Sequence, residues 1–194
     1  MLLADTLAKA VNFGYSNTAG LDSISAVFLA AGYLAELYFD FSGYCDMAVG
    51  IGKMVGIEVA ENFDSPFKSA SVKEFWRRWH MTLGRFFTRY VYIPLGGSRK
   101  GKARTLCNVM IVMLLSGLWH GAAWTFVLWG FLHGIGMMWD NIKRKGLPYR
   151  WMNQLLTFLY VSLTFVFFRA ESIAQGLLVI GKMFSFQWNG FLLE

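Results

Sequence analysis

Charge is the first thing this sequence is short of: 15% of its 194 residues are Asp, Glu, Lys or Arg, where an ordinary soluble domain has roughly 25%. That deficit argues against a free globule. Proline is scarce as well, at 3, and a chain that is 56% apolar falls outside the disordered and collagen-like classes. Cys45 and Cys107 are too few to staple a disulfide scaffold; they read as buried thiols and leave the compartment undecided. The three histidines, His80, His120 and His133, include no pair four residues apart and no H-E-x-x-H. With no cysteine cluster beside them, no metal site is expected. No serine stands in a G-x-S-x-G setting, which removes the nucleophile-elbow hydrolases. Residues 1–20 lack the basic, apolar and cleavage-site order of a secretory leader. Insertion into a membrane therefore has to come from internal segments. Self-similarity at a period of about 20 to 50 residues is also missing, so the chain is no repeat array.

What the sequence has in quantity is long apolar runs. A bilayer core about 30 Å thick needs about 20 mostly apolar helical residues. Residues 24–39 read ISAVFLAAGYLAELYF, preceded by Asp22 and Ser23 as candidate N-caps, and are expected to span. Beyond them Gly52 and Gly56 have the small-xxx-small spacing of close helix packing. Between 105 and 139 the only side chains that ordinarily ionise below neutral pH are His120 and His133. One perpendicular pass is too short for that stretch. Basic residues stand at both ends: Arg99, Lys100, Lys102 and Arg104, then Lys143, Arg144, Lys145 and Arg150. The positive-inside tendency puts both ends in the cytosol, which favours a tight hairpin with Gly117 and Gly121 bracketing a bend at 118–120; one long oblique helix is the competing reading. A further apolar run covers 154–168, and a weaker, partly polar helix 171–184.

The net charge of +6 is concentrated, since ten of the 18 Lys and Arg fall between Lys68 and Arg104, where Glu74 is the only acid. Flanked by greasy stretches, that block reads as juxtamembrane, and no nucleic acid partner is expected. Ser71 and Glu74 form a capping box, Ser71 accepting from the backbone of Glu74 while Glu74 reaches back to Ser71. A helix is expected from there over 71–91. At 100° per residue, Val72, Phe75, Trp76, Trp79, Leu83, Phe86, Phe87 and Tyr90 fall within an arc of about 120°. Lys73, Arg77, Arg78, Arg85 and Arg89 oppose them, and His80 lies at the boundary. Such a helix lies at a membrane interface with its guanidinium groups toward phosphates. It serves either as an anchor without chemistry or as a dock for a phosphorylated ligand. In the second reading Arg77, Arg78 and Arg89, with Arg99, Lys100 and Lys102, take the phosphates of a cytosolic acyl carrier such as coenzyme A.

His120 sits in an apolar window, where an ionisable group reads as functional with a partner, and His80 is the partner assigned. An imidazole near its ordinary pKa of about 6.5 can take a proton from an attacking hydroxyl and return it to a leaving group. The alternative is a histidine hydrogen-bonded between helices; for His133 core packing is expected. Glu36, Asp40 and Asp46 lie at membrane depth and are expected to pair with Lys53 or the basic helix's arginines, or else to line a polar path.

Three blocks carry a resemblance: FDFSGYCDMAVGIGKMVGIEVAENFDSPF at 39–67, FWRRWHMTLGRFFTRYVYIPLGGSRKG at 75–101 and LSGLWHGAAWTFVLWGFLHG at 115–134, with FFRAES at 167–172 downstream. In this order they resemble the membrane-bound O-acyltransferase family. The branch is the bacterial one typified by the alginate O-acetyltransferase membrane subunit, with the teichoic-acid D-alanyl transfer protein more distant. The resemblance implies an all-α, polytopic integral membrane helical bundle with a central tunnel, here a single membrane domain over 1–194 that is a fragment of a longer core, carrying the interfacial or re-entrant helix at 71–91. It implies His120 in LWHG as the essential histidine and His80 in WRRWH as the second. It further implies an acyltransferase of the bacterial inner membrane, with the acyl group crossing that membrane. The acyl group, acetyl in the first reading, would pass from acetyl-CoA or a similar donor to hydroxyls of an extracytoplasmic polysaccharide. A periplasmic or membrane-anchored O-acetyltransferase partner and membrane lipid are the expected neighbours, and no cofactor is expected to be bound. Arg77, Arg78, Trp79, Trp119 and Arg89 are the expected substrate-binding residues, with Trp119, Trp79 and Trp76 keeping the site dry. The rival readings are a non-catalytic membrane subunit of an export or modification complex, and an acyltransferase acting on lipid or teichoic acid.

Overall fold

A computed structural model describes residues 2–142 and 146–188. Lys143, Arg144 and Lys145 of the second basic cluster, and residues 191–194, lie outside the described residues. The described chain is all α: α1 (Leu2–Ser16), α2 (Ser23–Met54), α3 (Val72–Arg78), α4 (Met81–Phe87), α5 (Lys102–His120), α6 (Trp124–Ile142), α7 (Arg150–Arg169) and α8 (Ile173–Met183). Three of these, α2, α5 and α7, are long and apolar enough to cross a membrane. Contacts gather into two compact units, Cys45–Val161 and the remainder, with boundaries that fall inside α2 and α7.

The unit formed by Met1–Tyr44 and Ser162–Glu194 is built on α1, the beginning of α2, the end of α7, and α8. Val11, Leu21, Leu29, Leu34, Phe165, Val166 and Val179 are fully buried there. Asp22 is the cap of α2, its Oδ1 accepting from the Ser25 N–H at 2.7 Å, so the 24–39 run does start a helix; it continues to Met54. Arg169 donates to Asn12 Oδ1 at 2.7 Å and lies over the Tyr15 ring at 5.1 Å. Its charge also acts on Glu36, so the cation facing this acid comes from α7 rather than from the basic segment. Helix α1 had no counterpart in the sequence reading.

The unit Cys45–Val161 holds all three histidines, and several expectations are corrected in it. Gly52 and Gly56 do not pack two helices together. The helix ends at Met54, Gly56 turns the chain at φ 75°, and a Cβ on Gly52 would meet Val59 and the Ile57 carbonyl of its own returning strand of chain. The long apolar window is a hairpin, not an oblique helix: α5 runs through His120 and the turn lies at 121–123, beyond the bend expected at 118–120. The halves meet closely because they meet at glycine. A Cβ on Gly117 would strike the Phe126 carbonyl, one on Gly130 would strike the Met113 carbonyl, and each would approach the other glycine's Cα within 3.5 Å. This is small-residue packing of the kind that lets apolar helices associate.

Residues 71–91 are not one helix either. Helix α3 stops at Arg78, Trp79 is extended, and His80 takes a left-handed conformation (φ 45°, ψ 52°) before α4 begins. A π turn over Thr88–Tyr92 follows. The capping box is half as drawn: Ser71 Oγ accepts from the Glu74 N–H at 3.1 Å, but Glu74 Oε2 reaches to the N–H of Ala70, not Ser71, at 2.8 Å. Cys107 is exposed and Cys45 half-buried, so neither is the buried thiol expected.

Candidate functional site

The break between α3 and α4 exists because a distant segment supplies the cap that α4 lacks. The first residues of a helix leave N–H groups without intrahelical acceptors, and His80, at the cap position, makes no side-chain cap bond. Asn62 replaces it. Its backbone carbonyl accepts from the Met81 N–H at 2.9 Å, and its Oδ1 accepts from the Thr82 N–H at 3.1 Å and the Thr82 hydroxyl at 2.9 Å. Asn62 is itself buried, and its Nδ2 points to Cys45 Sγ at 3.5 Å. His80 Nδ1 lies 3.2 Å from the same Asn62 Oδ1. Burial pushes the His80 imidazole down to about 4, and the charge of His120 pushes the same way. The two histidines, forty residues apart in the chain, are thus close enough to act on each other.

Around them runs an aromatic cluster. His120 meets the edge of Trp129 at 5.4 Å, and Trp129 meets His133 at 4.8 Å. His133, fully buried, accepts from the Trp76 indole N–H at 3.1 Å. Phe75 stacks on Trp79 at 5.3 Å, and Phe63 sets its edge against the same ring at 5.1 Å. Trp76 and Trp79 therefore belong to the wall around the histidines. Trp119 turns outward, 65% exposed, beside Phe86.

A cavity of about 560 Å³ lies alongside. Lys73, Arg77 and Arg85 give it positive charge, and Leu83, Phe87, Val109 and Met113 make its apolar wall. It follows α5 from Thr105 to Ser116, one turn short of His120, and Trp76 lines it from the side of the aromatic cluster. Of the expected phosphate-binding arginines only Arg77 lines it. Arg78 is held by Asp64 and Glu74, each at 3.1 Å, and Arg89 lies over Tyr90. Arg85 lines the cavity although the sequence reading left it out, because the left-handed turn at His80 rotates α4 out of the register a single helix would impose. Asn62 was missed too: it sits in irregular chain, where no periodicity marks it. Glu74 anchors the arrangement, accepting from Arg150 at 3.1 Å as well. Its burial works to raise its pKa but is outweighed by the Ala70 N–H, Arg150 and Arg78, so its carboxyl titrates below the usual range.

Among the described residues no cluster of His, Cys, Asp and Glu is placed to hold a metal ion. What the arrangement offers is proton exchange at two half-buried imidazoles in aromatic surroundings, next to a positively charged cavity.

Residues 2–145 match the model of the membrane-bound O-acyltransferase family. The chain is 42% identical over 190 residues to the peptidoglycan O-acetyltransferase of Helicobacter pylori, covering 94% of this chain and 36% of that protein. It is 45% identical over 197 residues to the probable alginate O-acetylase AlgI of Pseudomonas putida, covering 96% and 39%. With the teichoic acid D-alanyltransferase of Bacillus subtilis it shares 34% identity over 146 residues, 70% of this chain and 37% of that one. It thus spans well under half the length of the relatives it matches. The described histidine site, its neighbours on α5 and α6, and most of the chain fall inside the matched region, and the chain belongs to the membrane-bound O-acyltransferase family.

Proposed function

We propose that this chain carries the histidine site and donor cavity of an inner-membrane O-acyltransferase that moves an acetyl group from a cytosolic thioester to hydroxyls of an extracytoplasmic polysaccharide. The observation that carries the reading is the convergence of His120 and His80 beside a cavity that runs along α5 from its basic beginning toward His120. The start of α5 at Lys102, next to Arg99 and Lys100, belongs on the cytosolic face by the positive-inside tendency. Eighteen steps of 1.5 Å from Lys102 put His120 about 27 Å away, close to the thickness of a bilayer core. Donor phosphates then meet Lys73, Arg77 and Arg85, whose charge suits them, and the acyl arm extends along the apolar wall.

In the reaction, His120 takes the proton of the acceptor hydroxyl as its oxygen attacks the thioester carbonyl. A C–O bond forms, the C–S bond breaks, and the departing thiolate takes up the proton. His80 is the second imidazole, placed to orient the hydroxyl or relay that proton. The aromatic wall of Trp76, Trp79 and Trp129 limits water, the competing nucleophile. The names of the relatives support a polymer acceptor outside the cell. The teichoic acid relative favours one second reading, transfer of an aminoacyl group, which the mass of the esterified product separates from acetyl. A partner that receives the acyl group outside the membrane fits either reading.

The test is His120→Ala in the full-length protein, with acetyl ester on the polymer measured against membrane abundance of the protein. Ester is expected to fall by about 100-fold or more, the scale of a lost general acid–base group. Full ester at normal abundance overturns the assignment.

A further inference from the structure

We infer that Asn62 is a positioning residue for His80: its side-chain oxygen holds the imidazole with the proton on Nδ1, leaving Nε2 as the basic nitrogen at the site. The catalytic use of that nitrogen rests on the function proposed above; the tautomer does not.

The neighbours of the Asn62 amide show which of its ends is the oxygen. The Thr82 backbone N–H can only donate, and it points at the atom 3.1 Å away. That atom is the acceptor, Oδ1. The opposite end, Nδ2, faces the Cys45 sulfur, a weak acceptor, at 3.5 Å, which agrees. An amide oxygen accepts and never donates, so His80 Nδ1, 3.2 Å from it, has to supply a hydrogen. A neutral imidazole carries one N–H, and with the proton on Nδ1 the lone pair is on Nε2. A histidine in water prefers the other tautomer, with the proton on Nε2, so this environment inverts the ordinary preference.

The inversion is firmly held. Asn62 is buried, its backbone carbonyl is tied to the Met81 N–H at 2.9 Å, and its Oδ1 takes both donors of Thr82 besides His80. One residue therefore caps α4 and sets the ring of the residue that precedes it. His133 provides an internal contrast. The Trp76 indole N–H, donor only, lies 3.1 Å from His133 Nδ1, so His133 carries its proton on Nε2. Two imidazoles in one cluster of side chains are set in opposite tautomers by two different neighbours.

The experiment is a long-range proton–nitrogen correlation spectrum of the histidine rings at pH 7.5. It uses the full-length protein, labelled with nitrogen-15 histidine, in lipid nanodiscs. His80 is assigned by the signals missing in His80→Gln. The wild type is expected to show the Nδ1–H pattern for His80 and the Nε2–H pattern for His133. In Asn62→Leu the His80 pattern is expected to change to Nε2–H. Asn62→Asp, whose carboxylate still accepts from Nδ1–H and Thr82, is expected to keep the wild-type pattern. With acetyl-CoA as donor, Asn62→Leu is expected to lower kcat by about tenfold or more while KM for the donor moves less than twofold, since a misplaced proton affects chemistry rather than binding. Nε2–H on wild-type His80, or Nδ1–H surviving in Asn62→Leu, overturns the inference. Should Asn62→Leu fail to fold, the wild-type and Asn62→Asp spectra decide, because neither removes the cap. An Nδ1–H His80 in an enzyme whose turnover survives His80→Gln upholds the role of Asn62 and sinks the catalytic place given to His80, so the two readings fail separately.

Discussion

The two histidines of the site ride on supports of opposite kind. His120 ends α5, which meets α6 through Gly117 and Gly130 in a contact made of backbone. His80 stands between two short helices whose geometry is set by side-chain hydrogen bonds and ion pairs to Asn62, Glu74, Asp64 and Arg150. A hairpin packed on glycine has little room to move. A segment held by polar groups can be set finely, to the atom of a ring, but it depends on charge and pH. The difference teaches that one imidazole is placed by steric closeness and the other by hydrogen-bond direction.

The sharpest way to break that comparison is to add one methyl group to the hairpin. Gly117→Ala or Gly130→Ala puts a Cβ into a facing carbonyl of the partner helix, an atom with no side-chain freedom to give way. Overpacking costs about 1–3 kcal/mol where a core can adjust, and a backbone contact places these variants at the upper end. Thermal unfolding in detergent is expected to show the loss. Gly181→Ala in α8 is the control: nothing lies within 4 Å of its Cβ, and replacing a helical glycine is expected to stabilise by roughly 0.5–1 kcal/mol. Equal losses at all three positions would mean that the hairpin is not closely packed.

Acid tests the other support. His80 is depressed to about 4 by burial, against an ordinary value near 6.5. Between those values the unfolded chain binds a proton that the folded chain does not, so stability falls as pH drops from 6.5 toward 4. Glu74, held below the usual carboxylate range, adds a loss at lower pH, as protonation releases Arg78 and Arg150. Amide-exchange protection in α3 and α4, corrected for intrinsic rates, is therefore expected to fall between pH 7 and pH 4.5, and to fall less in His80→Gln. An equal fall in His80→Gln would show that the acid sensitivity of this support does not come from His80.

The same contrast explains what could be read from the amino-acid order. The hairpin, α2, α7 and α8 were legible because hydropathy and basic flanks are carried by the residues of the helices themselves. His120 stood out as well, as an ionisable group in greasy surroundings. The break at Trp79 and His80 was not legible, because the aromatic arc runs unbroken through it and the decision is made by Asn62, eighteen residues upstream in chain without periodicity. Gly52 and Gly56 had helix-packing spacing, yet a helix end falls between them, and spacing alone does not report an end. The arginines show the same limit: once the helix breaks, the opposite faces of a single wheel no longer say which guanidinium lines the cavity and which closes an ion pair.

That sorting can be measured, and it is the mildest of the three effects. Arg85 lines the cavity, and a guanidinium that meets a donor phosphate makes a charge-assisted hydrogen bond of about 1.5–3 kcal/mol. At 1.4 kcal/mol per factor of ten, Arg85→Gln is expected to raise KM for acetyl-CoA by about tenfold with kcat little changed, because binding is lost equally from ground and transition states. Arg78 is tied to Asp64 and Glu74 instead. Arg78→Gln is expected to lower the unfolding temperature and leave KM within twofold, a loss kept small by the partial exposure of both pairs. If the two variants exchange these phenotypes, the charge around the cavity serves the fold and the donor is bound elsewhere; if they keep them, the polar segment divides into groups that hold it in place and groups that it holds in place for the substrate.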